Sequence, residues 1–249
     1  MLPLTTMPHN RIQQLLRDNA HTPRRYACQV AADAPEGAAT VWLYDVIGAD
    51  AWGGVDAARF AQDVAAIQAP VIHLRINSPG GDVFDARAMA TALLAHPARI
   101  VAHIDGLAAS AASYVALAAD EVEISEGAFL MIHNAWGVVL GNRHDLLEMA
   151  LTLEKIDASI AADYQRKSGQ DIATVQGWMD AETWFTAQEA LEAGLVDRIV
   201  TGAPSASASP QQRWNLSAYP DAPWMQPRAS PASDARERWR RLAVIERCT

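Results

Sequence analysis

A chain of 249 residues, half of them apolar, is long enough for one medium-sized domain with a real core plus appendages. Its net charge of −9 argues against nucleic acid or an anionic membrane surface as the main partner, and no apolar run reaches the roughly 18 residues of a membrane span. The two cysteines, Cys28 and Cys248, stand near opposite ends and offer neither a disulfide framework nor a metal-ligand spacing, so neither metal nor cofactor is expected and a reducing, cytoplasmic setting is the default.

Residues 1–24 read as a short polar helix or arm without the apolar segment of a secretory leader, and the main domain is expected over 25–200. Ala39–Ile47 (ATVWLYDVI) alternates as a strand, Ala51–Val55 (AWGGV) is a turn, and VDAARFAQDVAAIQA is an amphipathic helix. Val71–Ile76 (VIHLRI) is a second strand ending in a Ser-Pro-Gly-Gly turn, followed by an alanine-rich helix, Val83–Ala95, that stops before Pro97. Arg99–Ile104 (RIVAHI) is a third strand, and Gly106–Ala109 turns the chain into another alanine-rich helix. Short strands are predicted at EVEIS and FLMIH. Leu146, Met149, Ala150, Leu153 and Tyr164 then recur at helical spacing, which predicts one long helix from about His144 to Arg166. A shorter helix precedes EALEAGLVDRIV, read as helix, glycine cap and last strand. Strands and helices alternate throughout, so the class is α/β with largely parallel pairing. From 201 the composition changes to a Ser/Ala/Pro linker, TGAPSASASPQQ, and a basic amphipathic tail with Arg236, Arg238, Arg240 and Arg241, which is either a segment that folds against a partner or a solvated, fraying end.

Two of the glycine turns suggest chemistry. Acyl transfer needs a place for the negative charge that develops on a carbonyl oxygen, and backbone N–H groups converging from separate turns provide one. Gly80-Gly81, at a strand end, can offer one donor because glycine puts no Cβ in the way; the first residues of the helix after Gly106-Leu107-Ala108-Ala109-Ser110 offer another. Ser110 enters that helix among Ala108, Ala109, Ala111 and Ala112 and is the candidate nucleophile, with Ser113 one turn on as its rival. A serine needs a base. Of seven histidines, His133 ends the apolar strand FLMIH, at a rim where catalytic groups are exposed in α/β folds, and position alone leaves it balanced between base and structural residue.

INSPGGDV, GLAASAAS, LMIHNAWG and EALEAGLVD, in this order, resemble the proteolytic subunit of Clp protease, in the flavour found in phage and prophage head (prohead) maturation. The resemblance covers roughly Ala39 to Val200. It implies a fold of repeated β-β-α units shared with the crotonase group, Ser110 as nucleophile, His133 as general base, and the N–H groups of Gly81 and Ala111 as oxyanion donors. The family's acid falls on Glu182 when counted back from Gly194-Leu195-Val196-Asp197, with Asp180 as the alternative, on the same face if the segment is extended. Gly80, Asp82 and Val83 on one side, and Trp136 and Gly137 on the other, are expected to clamp a polypeptide substrate as an added strand. The long helix is implied to interlock subunits of a homo-oligomeric ring. Candidate partners are an ATPase unfoldase or a phage capsid or scaffold protein, in the host cytoplasm or the procapsid. Asn134-Ala135 replaces the family's usual Gln-Pro, and the amino-terminal arm has no match to the family's axial-pore segment. A crotonase-like acyl-CoA enzyme and a catalytically silent assembly protein are the competing readings.

Overall fold

The computed structural model describes residues 11–22, 25–30, 37–49, 53–201 and 214–222. The basic tail around Arg236–Arg241 lies outside the described residues, as does most of the Ser/Ala/Pro linker.

A short helix α1 (Arg11–Asp18) is followed by strand β1 (Arg25–Val30), which pairs antiparallel with β2 (Ala39–Tyr44). From there the chain alternates: α2 (Ala57–Ala65), β3 (Val71–Ser78), α3 (Val83–Leu94), β4 (Arg99–Ala109), α4 (Ala111–Ala116), β5 (Glu121–Ser125) and β6 (Phe129–Ile132). The long α5 (Arg143–Ser168), α6 (Ile172–Asp180), β7 (Thr183–Thr186), α7 (Ala187–Glu192) and β8 (Arg198–Val200) complete the domain. β1-β2-β3-β4-β5-β8 form one sheet, parallel except for the β1–β2 edge, so the predicted α/β class with mostly parallel pairing holds.

Side chains alternate across a strand, and β3 shows what each face of the sheet does. Ile72, Leu74, Ile76 and Ser78 are fully buried in the face that joins Phe60 of α2, Met89 and Leu93 of α3 and Val115 of α4 in the main core. The opposite face carries a polar ladder. His73 Nδ1 meets His103 Nε2 at 2.8 Å, His103 Nδ1 meets Glu123 at 2.8 Å, and Arg75 donates from Nε to Asp105 at 2.9 Å. Side chains cap the helix starts, with Asp82 accepting from the N–H groups of Phe84 and Asp85 and Asn142 forming a capping box with Asp145.

β4 is longer than the sequence implies. Gly106–Ala109, read as a turn, is strand: Ser78 pairs with Ala108 on one side, and Leu107, Ala108 and Ala109 pair with Phe129, Leu130 and Met131 of β6 on the other. Small residues looked like a turn in isolation; pairing on both edges keeps them extended. β4 thus changes partners, running beside β5 from Val101 to Ile104 and beside β6 from Leu107 to Ala109. β6 also pairs antiparallel with β7, so a second, smaller plane of strands forks away from the sheet.

A second departure is at the end of the chain. Residues 214–222 were grouped with the linker and tail, yet Trp214, Leu216, Ala218, Tyr219 and Ala222 are buried. They close a second apolar cluster with Leu15 and Leu16 of α1, Val46, Leu107 and Met131. The fully buried Asn19 ties the two termini together: its side-chain N–H donates to Asn215 O at 3.0 Å, and its side-chain oxygen accepts from Asn215 N at 2.7 Å.

Candidate active site

The fork places Ser110 beside His133. Ala109 pairs with Met131, the Ser110 N–H donates to Met131 O at 2.9 Å, and His133 stands two residues further along that strand's exit. Main-chain hydrogen bonds of the sheet therefore set the distance, and Ser110 Oγ lies 2.6 Å from His133 Nε2. Ser110 has φ 54 and ψ −123, a conformation that costs a non-glycine residue about 1–3 kcal/mol and lifts the side chain from a sharp strand-to-helix turn. Ser113 does not compete for the role: fully buried, its Oγ donates to Ser110 O at 2.7 Å and meets the Tyr164 hydroxyl at 2.7 Å.

Gly80 and Gly81 abut this turn. A Cβ on Gly80, whose φ is +90, would lie 2.5 Å from Ala109 O and 2.9 Å from Ser110 Cβ, so only glycine lets the two turns touch. Gly81 forms a parallel bridge with Ile47, in which Ile47 N–H donates to Gly80 O at 2.8 Å and Ile47 O accepts from Asp82 N–H at 3.0 Å. In such a bridge the middle residue's own N–H faces away from its partner, and Gly81 lines the same cavity as Ser110. Ala111 opens α4, where the N–H has no partner within the helix.

His133 is only 9% exposed, with the Trp136 ring edge-on at 4.5 Å and Tyr219 at 5.6 Å. Burial, and then the nearby Arg11 guanidinium, push its pKa down to about 3, so the imidazole is neutral and able to accept a proton. No carboxylate figures among the groups acting on this histidine in the described residues.

The two acids part company. Asp180 ends α6 and accepts from the Asn134 side chain at 2.7 Å on the exposed side. Glu182 sits after a turn, with φ 47 and 9% exposure; because the segment is a turn and not extended, the two acids do not share a face. Burial raises the Glu182 pKa, and its Oε1 accepts from the Asp221 N–H at 3.1 Å and from the Trp184 indole at 3.4 Å. Glu182 is held by the carboxy-terminal segment, not by His133.

A cavity of about 250 Å³ opens beside the serine. Gly81, Asp82 and Val83 line one flank, Trp136 and Gly137 another, and Met149, Leu153 and Ile156 of α5 an apolar floor, so Asp82, Val83, Trp136 and Gly137 of the expected clamp share one space while Gly80 is not among the lining residues. Asp82 contributes backbone, its carboxylate being committed to capping α3. Ile12, Leu15 and Tyr219, to which no local pattern assigns a role, line the same cavity. Aromatic and aliphatic residues punctuating WNLSAY inside a Ser/Ala/Pro-rich stretch were the available signal. Among the described residues there is no cluster fit to hold a metal ion, and no helix long and apolar enough to cross a membrane.

A serine on a strand-to-helix turn, hydrogen-bonded to a neutral histidine, is the pairing used for acyl transfer by serine hydrolases. Comparison with known proteins narrows the class: the model of the Clp protease family matches residues 63–203. The ATP-dependent Clp protease proteolytic subunit 2 of Mycolicibacterium paratuberculosis is 32% identical over 134 residues, covering 53% of this chain and 67% of the relative. Subunit 1 of Protochlamydia amoebophila is 33% identical over 129 residues, covering 50% and 63%, and subunit 1 of Mycobacterium tuberculosis (strain H37Rv) is 31% identical over 134 residues, covering 53% and 67%. The chain belongs to the Clp protease family, and it spans about two thirds of the length of these relatives.

Proposed function

We propose that the protein is a serine endopeptidase acting on extended polypeptide chains. The 2.6 Å contact between Ser110 Oγ and His133 Nε2 carries the reading. The hydroxyl attacks a peptide carbonyl as the neutral imidazole takes its proton, and the oxyanion settles between the Gly81 and Ala111 N–H groups. The imidazolium then protonates the departing amine, and a water activated by the same imidazole hydrolyses the acyl-serine. Glu182 is the acid proposed to support the imidazolium, by its count from the Gly194 turn and its burial beside the site. The apolar floor supplied by α5 suits an aliphatic or aromatic substrate side chain.

The relatives named above are subunits of ATP-dependent proteases, which supports assembly into a homo-oligomeric ring and work with an ATPase. Exposed Leu146, Leu147 and Leu151 on α5 give such an assembly an apolar seam. Head maturation in a phage is the finer assignment, and it rests on the flavour of the four motifs. The test incubates the protein with unfolded casein and with a phage scaffold protein, comparing wild type with Ser110→Ala and His133→Ala. Both substitutions are expected to lower cleavage by about 10³-fold or more. Cleavage unaffected by Ser110→Ala refutes the mechanism, and cleavage of casein without scaffold removes the phage assignment.

A further inference from the structure

The carboxy-terminal segment meets the site at three points. The Tyr219 hydroxyl donates to Pro79 O, at the start of the Gly80-Gly81 turn, and Tyr219 lines the same cavity as Ser110. Its ring packs against Trp136 at 5.0 Å and Trp184 at 5.8 Å as well as His133. Two residues on, the Asp221 N–H takes the Glu182 oxygen. We infer that Trp214–Ala222 is an intramolecular ligand of the substrate groove, and that an extended peptide reaches Ser110 and His133 only after this segment has left.

The inference rests on the endopeptidase reading and follows from space and hydrogen bonding. Tyr219 lines the same cavity as Gly81, Asp82, Val83, Trp136 and Gly137, its ring 5.0 Å from that of Trp136, so it narrows the space that a chain laid there would occupy. The Tyr219 ring stands 5.6 Å from the His133 ring, and the Glu182 carboxylate already accepts from a main-chain N–H. The segment is nevertheless built to be removable. It forms neither strand nor helix, and Asn215, Ser217 and Asp221 are exposed. Apart from the Asn19 pair, side chains seat it: the Trp214 indole donates to Asn77 at 3.2 Å, and Gln14 donates to the Ser217 hydroxyl at 3.3 Å. Opening it exposes the buried Trp214, Leu216 and Tyr219, so the seated form predominates, while the lack of ladder hydrogen bonds lets it leave without unpairing the sheet. Departure would do two things together: bare the serine, and release the Glu182 carboxylate to turn toward the imidazole.

The test uses the full chain. Trp214→Ala loosens the segment at the end removed from the serine, and Tyr219→Ala removes its plug. Labelling of Ser110 by a fluorophosphonate is expected to be at least 10-fold faster in either variant than in wild type. Equal or slower labelling in Trp214→Ala, with an unchanged circular dichroism spectrum, overturns the inference. A second readout does not need chemistry: in a Ser110→Ala background, Trp214→Ala should tighten binding of a fluorescein-labelled casein peptide at least 5-fold, and unchanged affinity overturns the inference. Tightened binding without labelling in any Ser110-containing chain sinks the serine mechanism and keeps the cover; labelling equal in all chains with unchanged affinity does the reverse.

Discussion

The two halves of the site are held in different ways. On the Ser110–His133 side, β4 and β6 are hydrogen-bonded neighbours, and the sheet register fixes the side chains to within an ordinary hydrogen bond. On the acid side, Glu182 follows the end of α6 in a turn, with positive φ and a partner drawn from residue 221. The first half is rigid because its geometry is a by-product of the core. The second is adjustable, since one long-range contact decides where the carboxylate looks.

The sharpest way to break this contrast is through the acids. Glu182→Gln is expected to lower kcat on the order of 10²- to 10⁴-fold, as loss of a triad acid does, while Asp180→Asn changes it less than about 3-fold. Steady-state peptide hydrolysis separates them, and the opposite ranking would move the acid to Asp180.

On the rigid side, Gly80→Ala forces a Cβ into Ala109 O at a positive φ. A loss of about 3 kcal/mol and a Tm lower by roughly 5–10 °C are expected in a thermal scan. A smaller effect comes from pH. With its folded pKa depressed to about 3 and an unfolded value near 6.5, His133 gives stability that is fully present above pH 6.5 and is lost as pH falls toward 3. Urea unfolding at pH 5 should show about 2 kcal/mol of this loss, absent in His133→Gln, whose side chain has no proton to take up. Smallest is Ser113→Ala, about 1 kcal/mol by chemical denaturation, because it removes the bond to Ser110 O and leaves the Tyr164 hydroxyl without that partner.

What was legible in the sequence follows the same division. The Ser-Pro-Gly-Gly turn, the serine after it and the histidine ending FLMIH are local signals, each a few residues long. They stand together because parallel strands bring successive βα turns to one edge. The long helix, predicted from about His144 to Arg166, runs Arg143–Ser168, since a capping box and the left-handed Gly169 mark its ends chemically. The extension of β4 was not legible, because only pairing with Ser78 and β6 distinguishes a strand from a turn in Gly-Leu-Ala-Ala. Nor was the seating of residues 214–222, whose partners Asn19, Asn77 and Glu182 lie far away along the chain. Tertiary contact, not local pattern, decides both.

The fork in β4 has one more consequence. Between Ile104, the last residue beside β5, and Leu107, the first beside β6, the chain crosses on Asp105 and Gly106 alone. Beyond the crossing Ala108 still pairs with Ser78 of β3, so the strand that delivers the serine is braced by the main sheet on one edge and by β6 on the other.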